Sequence, residues 1–254
     1  MSAVPAYPIN TPAATAENEE RWRFRQEFGR LGSSMLLGAS SGALAGFLIG
    51  GVLGRIAMFV LRLTSPNAVI GRKSDDGFTI GQISTQSLFL IVVTTTLGAL
   101  VGVAYVATRP AIPARWMIAV WAIAGLAVGG STILKADGID FTELEPQLLS
   151  VAMFIAIPGG GAALMAVLVE RRRAWWWKNR RRTALACIPL IAPVLLILVP
   201  LAGFVALVVV AALASNAHIV HATTRIGPTL VRAGLVVVAS WGGWNLIHDV
   251  TAIL

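Results

Sequence analysis

Residues 38–54 read GASSGALAGFLIGGVLG, with glycine at every fourth position: Gly38, Gly42, Gly46, Gly50 and Gly54. Ser40 and Ser41 are the only polar side chains in the run. Glycine inside a helix costs about 1 kcal/mol relative to alanine, so five in register call for a compensating contact. A bilayer supplies the setting, because rows of small residues let membrane helices approach backbone to backbone. The stretch therefore predicts a membrane helix over about 34–59 or a little beyond, with its glycines along one side. Strict four-residue spacing drifts around an ideal helix by about 40° per step, which suits a crossing partner better than a parallel one. The partner is left open between another helix of this chain, with Gly98, Gly102, Gly125 and Gly129 as candidate contacts, and a second subunit. A pore lining is the third reading.

The rest of the chain reads the same way. Of its 254 residues, 56% are apolar and 13% charged, about half the charge of an ordinary soluble domain. Apolar blocks long enough to cross a bilayer, roughly 20 residues each, recur near 87–107, 116–134, 148–169, 184–214 and 229–247. The expected fold is all-α, a polytopic membrane helical bundle of about six transmembrane helices. Residues 34–254 form the multi-pass domain and 1–33 a cytoplasmic tail. Within that tail, 1–17 is rich in Pro, Ala and Thr, and 18–31 carries Phe24, Phe28 and Leu31 at helical spacing among charges. It reads as a short amphipathic helix on the membrane surface or on a partner. The first apolar block is too long for the core of a cleavable signal peptide.

The basic residues are 17 Arg and 3 Lys, giving a net charge of +8. They fall between apolar spans, so membrane orientation explains them better than nucleic acid does. With the N-terminus inside, the inner segments hold 13 basic residues and the outer loops five, with Arg55 and Arg232 near the outer face. Six spans return the C-terminus to the cytoplasm. The expected topology is thus N-in/C-in, and the expected location the inner membrane of a bacterium, whose Arg-rich, Ala-rich usage the composition resembles.

Four features could carry function. The glycine row is the first, as a helix-packing surface. The second is a polar group: Arg55 and Arg62, seven apart and so on one helix face, followed by Asp75 and Asp76. They could grip an anionic headgroup or form a structural ion pair. The third is RRRAWWWKNRRR at 171–182: Arg171, Arg172, Arg173, Trp175, Trp176, Trp177, Lys178, Arg180, Arg181 and Arg182. Indoles at headgroup depth beside cations suit an anionic inner-leaflet lipid or a protein partner, besides setting topology. The fourth is Pro158 with Gly159, Gly160 and Gly161 in the middle of the fourth span. It reads as a helix break that exposes backbone to a ligand, or as a packing notch.

Weaker signals are His218 and His221, Asn245, His248 and Asp249 at the expected inner end of the last span, and Thr94, Thr95 and Thr96, which can bond back to their own helix. Cys187 reads as a small buried hydrophobe. No phosphate-binding loop, nucleophile elbow, paired CxxC or zinc-protease motif occurs, so neither a cofactor nor a metal is expected. The pattern favours a non-catalytic accessory or scaffold subunit of a larger transport or respiratory complex. Its partner would be another protein or a second copy. A small transporter or channel for a lipid or other amphiphile is the alternative.

Overall fold

The structure, a computed structural model, describes residues 29–30, 32–65, 85–135, 146–173, 175–176 and 217–253. These residues are almost entirely helical and hold no strand. Five helices are long and apolar enough to cross a membrane: α1 (Gly32–Thr64), α2 (Thr85–Thr108), α3 (Ala114–Ile133), α4 (Gln147–Arg173) and α5 (Ala217–Ile253), the last with its apolar window at Pro228–Ile253. Phe59, Phe89, Ile123, Leu148 and Trp244, one on each helix, are all more than half exposed. Such an outer surface matches hydrocarbon and is poorly matched to water. The chain is a multi-pass membrane protein. The expected spans at 34–59, 87–107, 116–134, 148–169 and 229–247 fall on these five helices. The expected span at 184–214, the amphipathic segment 18–31 up to residue 28, and Cys187 lie outside the described residues.

Local chemistry sets the helix ends. Ser65 turns to extended backbone, φ −90° and ψ 154°, immediately before Pro66, as the ring of a following proline demands. α2 tightens into a 3₁₀ turn at Arg109–Ala111. Ile112, ahead of Pro113, is extended, and a second 3₁₀ turn at Ala114–Trp116 opens α3. Pro110, inside the first turn, and Pro113 thus make a short elbow between α2 and α3.

Three glycine seams join the helices. At the first, a Cβ on Gly38, Gly42 or Gly46 would meet the backbone of Gly102, Gly98 or Thr94 within 3.0 Å, and one on Gly98 or Gly102 would strike Gly42 or Gly38 in return. The glycine row is therefore filled by α2 of the same chain. α1 widens to a π-helical turn over Gly46–Leu53. A π turn holds about 4.4 residues, so a four-residue step there rotates backwards and offsets the forward drift of the preceding α turns. This keeps Gly50 on the seam, where its absent Cβ would lie 2.8 Å from the Thr94 side chain. The same rotation brings Gly51 against Ile91 and leaves Gly54 off the seam, its nearest neighbour being Ile49 O at 3.9 Å.

The second seam joins α3 to α4. Pro158 and the glycines after it do not break α4, which is helical from 147 to 173. The expected helix break is corrected to a packing notch. α3 also carries a π-helical turn, Gly125–Gly129, and it faces this notch. A Cβ at Gly125 would lie 2.7 Å from Pro158 O, and one at Gly129 would overlap the Pro158 ring. Proline removes one helix hydrogen bond and crowds the preceding turn. The bare backbone of Gly129 accommodates the ring. Gly125 and Gly129 thus serve α4, not the glycine row of α1. The third seam joins α3 to α5, where Gly242 meets Ala127 and Val128, and Gly130 meets Leu246.

Hydrogen bonds and buried clusters set the helix directions. Trp176 bonds Ser33, Arg109 bonds Glu170, and Arg232 bonds the Ala111 carbonyl, so all these residues share one end of the bundle, called here the arginine end. Leu134, Val151 and Ile253 form a cluster at the far end. α5 therefore runs from the arginine end to the far end, as α1 and α3 do. The start of α1 and the finish of α5 thus lie at opposite ends of the described bundle, an order of directions that differs from the expected N-in/C-in arrangement. It also moves Asn245, His248 and Asp249 to the far end, and Arg225 and Arg232 towards the arginine end. An apolar span has the same composition read in either direction. Its expected direction rested on a count of six spans, of which the one at 184–214 lies outside the described residues.

Candidate functional site at the arginine end

Two polar side chains of α2 and its extension converge on Glu170, three residues before the end of α4. Tyr105 and Arg109 are one turn apart on α2 and its 3₁₀ extension, so both reach the same neighbour. Arg109 Nε donates to Glu170 Oε1 at 2.8 Å and Nη2 donates to Oε2 at 3.0 Å. The Tyr105 hydroxyl donates to Oε1 at 2.9 Å. The planar guanidinium meets the carboxylate as a two-pronged pair, the stronger geometry for such contacts. The Arg109 and Glu170 side chains are 26% and 28% exposed, so the pair lies at the edge of the core and not within it.

Below the pair, the ring of Tyr105 is fully buried and meets Trp121 at 5.6 Å between centroids, tilted by 52°. The surrounding cluster takes Leu37 and Ala45 from α1, Ile112 from the elbow, Met117 from α3, and Met165, Ala166 and Val169 from α4. Trp176 closes it. Its ring is buried and its Nε1 donates to Ser33 Oγ at 2.9 Å, tying the tip of α4 to the start of α1. The expectation of a headgroup-level anchor therefore holds no place for Trp176, which is a core residue. Trp175, its neighbour, is half exposed. Trp177, Lys178, Arg180, Arg181 and Arg182 lie outside the described residues.

Around this strut stand the other arginines. Ile112 and Met117 bracket Arg115, Val169 and Trp176 bracket Arg171, Arg172 and Arg173, and all four brackets belong to the same buried cluster. Arg109, in the first turn of the elbow, bonds Glu170 three residues before the end of α4, so the elbow and the tip of α4 are adjacent. Arg115 lies over the Trp116 ring at 5.9 Å. Arg232 Nε donates to the Ala111 carbonyl, which the end of α2 leaves without a helical partner.

The expected group at the other end is only partly visible. Arg55 and Arg62 lie in the regular α-helical part of α1, two turns apart and both half-buried, while Asp75 and Asp76 lie outside the described residues. His248 and Asp249 approach to 3.6 Å within α5. The three threonines bond back as expected: Thr94 to Leu90 O, Thr95 to Ile91 O and Thr96 to Val92 O. Among the described residues, no group of three His, Cys, Asp or Glu side chains could hold a metal ion.

Sequence reasoning missed Glu170, Tyr105 and Ser33. Glu170 stands directly before three arginines and reads as part of a basic stretch. A signal was present: a carboxylate at the end of one apolar span, and a Tyr–Arg pair at i,i+4 at the end of another. No family model, curated protein or solved structure matches the chain.

Proposed function

We propose that this chain is a non-catalytic accessory or scaffold subunit of a larger bacterial plasma-membrane complex for transport or respiration. The observation that carries this reading is the closed strut of Tyr105, Arg109 and Glu170. Both carboxylate oxygens accept from Arg109 or Tyr105, so the group joins α2 to α4 and its hydrogen bonds are spent on holding the two helices together. The arginine end faces the cytoplasm in this reading, because basic residues stay on that side. Arg232, bonded to the Ala111 carbonyl at this end, adds to the asymmetry read from the sequence. The glycine row is filled within the chain, so a partner protein or second copy docks elsewhere, on the outer helix faces or the arginine end. Native purification in mild detergent with mass spectrometry tests this. Stable recovery of defined partner proteins or a homo-oligomer is expected. Recovery of a lone monomer from gently solubilised membranes sinks the proposal.

One observation favours the alternative, a transporter or channel for an amphiphile. α1 and α3 both carry π-helical turns within their spans, and such turns recur at functional sites and hinges. Arg55 follows the α1 turn by two residues. Reconstituted protein that moves labelled lipid, and loses the activity in Arg55→Ala, would replace the first reading.

A further inference from the structure

The arginine end carries more guanidinium groups than its internal contacts use. Arg109 is engaged by Glu170 and Arg232 by the Ala111 carbonyl. Arg30, Arg115, Arg171 and Arg173 are exposed at the same end. No carboxylate pairs with any of these four among the described residues. Two half-exposed indoles, Trp116 and Trp175, stand at their level.

We infer that the rim between the elbow and the tip of α4 is a binding site for the phosphate headgroup of an anionic lipid, held by Arg115 with Trp116 from one side and Arg171 with Trp175 from the other. The elbow and the tip are fixed to each other through the cluster of Ile112, Met117, Val169 and Trp176, so the two sets of donors are presented on one rigid frame. Guanidinium forks match phosphate oxygens in pairs, and indoles settle at headgroup depth with N–H groups free to donate. At this end the sequence pointed only to the 171–182 stretch. The structure adds Arg115 and Trp116, more than 50 residues away, and removes Trp176, which is buried. A basic flank that only set topology would attract anionic lipid diffusely, without depending on Arg115 and Arg171 in particular. That dependence is what the double variant reads.

The full-length protein in neutral detergent is given phosphatidylglycerol, phosphatidylcholine of the same acyl chains, or inorganic phosphate. Retained lipid is read by native mass spectrometry and stability by thermal midpoint. Phosphatidylglycerol should be retained and should raise the midpoint, while phosphatidylcholine should do neither. An arginine near an anionic surface contributes about 1 kcal/mol, so the Arg115→Gln/Arg171→Gln double variant should bind about thirtyfold more weakly. Lys135→Gln, exposed at the far end beside Leu134, should bind as the wild type does. Equal retention of the two lipids, or unchanged binding by the double variant, overturns the site. An equal effect of inorganic phosphate overturns the lipid as ligand and points to a soluble phosphate. If the double variant does not fold, wild-type retention against added salt decides. It must fall with ionic strength, and salt-indifferent retention overturns the proposal.

Discussion

Gly42 and Gly54 belong to one sequence pattern, yet the structure gives them opposite fates. Alanine at Gly42 places a methyl group within 3.0 Å of the Gly98 carbonyl and 3.0 Å from the Gly102 Cα. Both neighbours are helix backbone and cannot rotate aside, so α1 and α2 must part by on the order of 1 Å. A gap of that size forfeits a quarter to a half of each contact of ~0.1–0.2 kcal/mol; over roughly 30 atom pairs along the seam this comes to ~1–3 kcal/mol. Overpacked sites cost a similar amount. Alanine at Gly54 meets only Ile49 O, at 3.9 Å. Both substitutions gain the same intrinsic helix preference of alanine over glycine, about 1 kcal/mol. The difference between the two variants therefore isolates packing. Unfolding in mixed micelles, followed by far-ultraviolet circular dichroism against denaturing-detergent fraction, should place Gly42→Ala ~1–3 kcal/mol below Gly54→Ala. Gly98→Ala should behave as Gly42→Ala does. Gly160→Ala and Gly234→Ala, where nothing lies within 4 Å, should behave as Gly54→Ala does. Equal stability of Gly42→Ala and Gly54→Ala would refute the seam and the π-helical turn that takes Gly54 off it.

Three other outcomes follow from the same geometry. Epitope tags on the two ends of the chain should be accessible from opposite faces of sealed vesicles, and accessibility from one face would refute the direction assigned to α5. Glu170→Ala should destabilise by ~1–3 kcal/mol, because it leaves the Arg109 and Tyr105 donors unmatched; in a double-mutant cycle with Arg109→Ala, additive losses would mean the pair is not coupled. Trp176→Phe and Ser33→Ala should each cost ~1 kcal/mol in thermal unfolding, the usual worth of one hydrogen bond, and the double variant little more than either. Full additivity there would show that the tip of α4 is not tied to α1.

Much of the fold was legible because a bilayer imposes a length and a polarity on each crossing segment. The blocks near 34–59, 87–107, 116–134, 148–169 and 229–247 needed no tertiary information to be read as helices. The candidate site was legible only in part. The 171–173 arginines stand out in any reading, but their counterpart Arg115 and the carboxylate between them do not. Contacts across 61 residues, as between Arg109 and Glu170, leave no periodic trace in one sequence. Trp175 and Trp176 are adjacent and chemically identical, and one is half exposed while the other is buried against Ser33. Helix rotation decides that difference, and neighbouring residues on a helix point about 100° apart.

The sequence by itself determined that this is a helical, multi-pass membrane protein, since hydrophobic length is a local property of the chain. Tertiary structure alone decided which neighbour fills the glycine row, that Pro158 is a notch and not a break, and which way α5 runs. Each of these depends on which backbone surfaces meet. A glycine records only that something comes close, and the identity of its neighbour is set by the packing of the whole bundle.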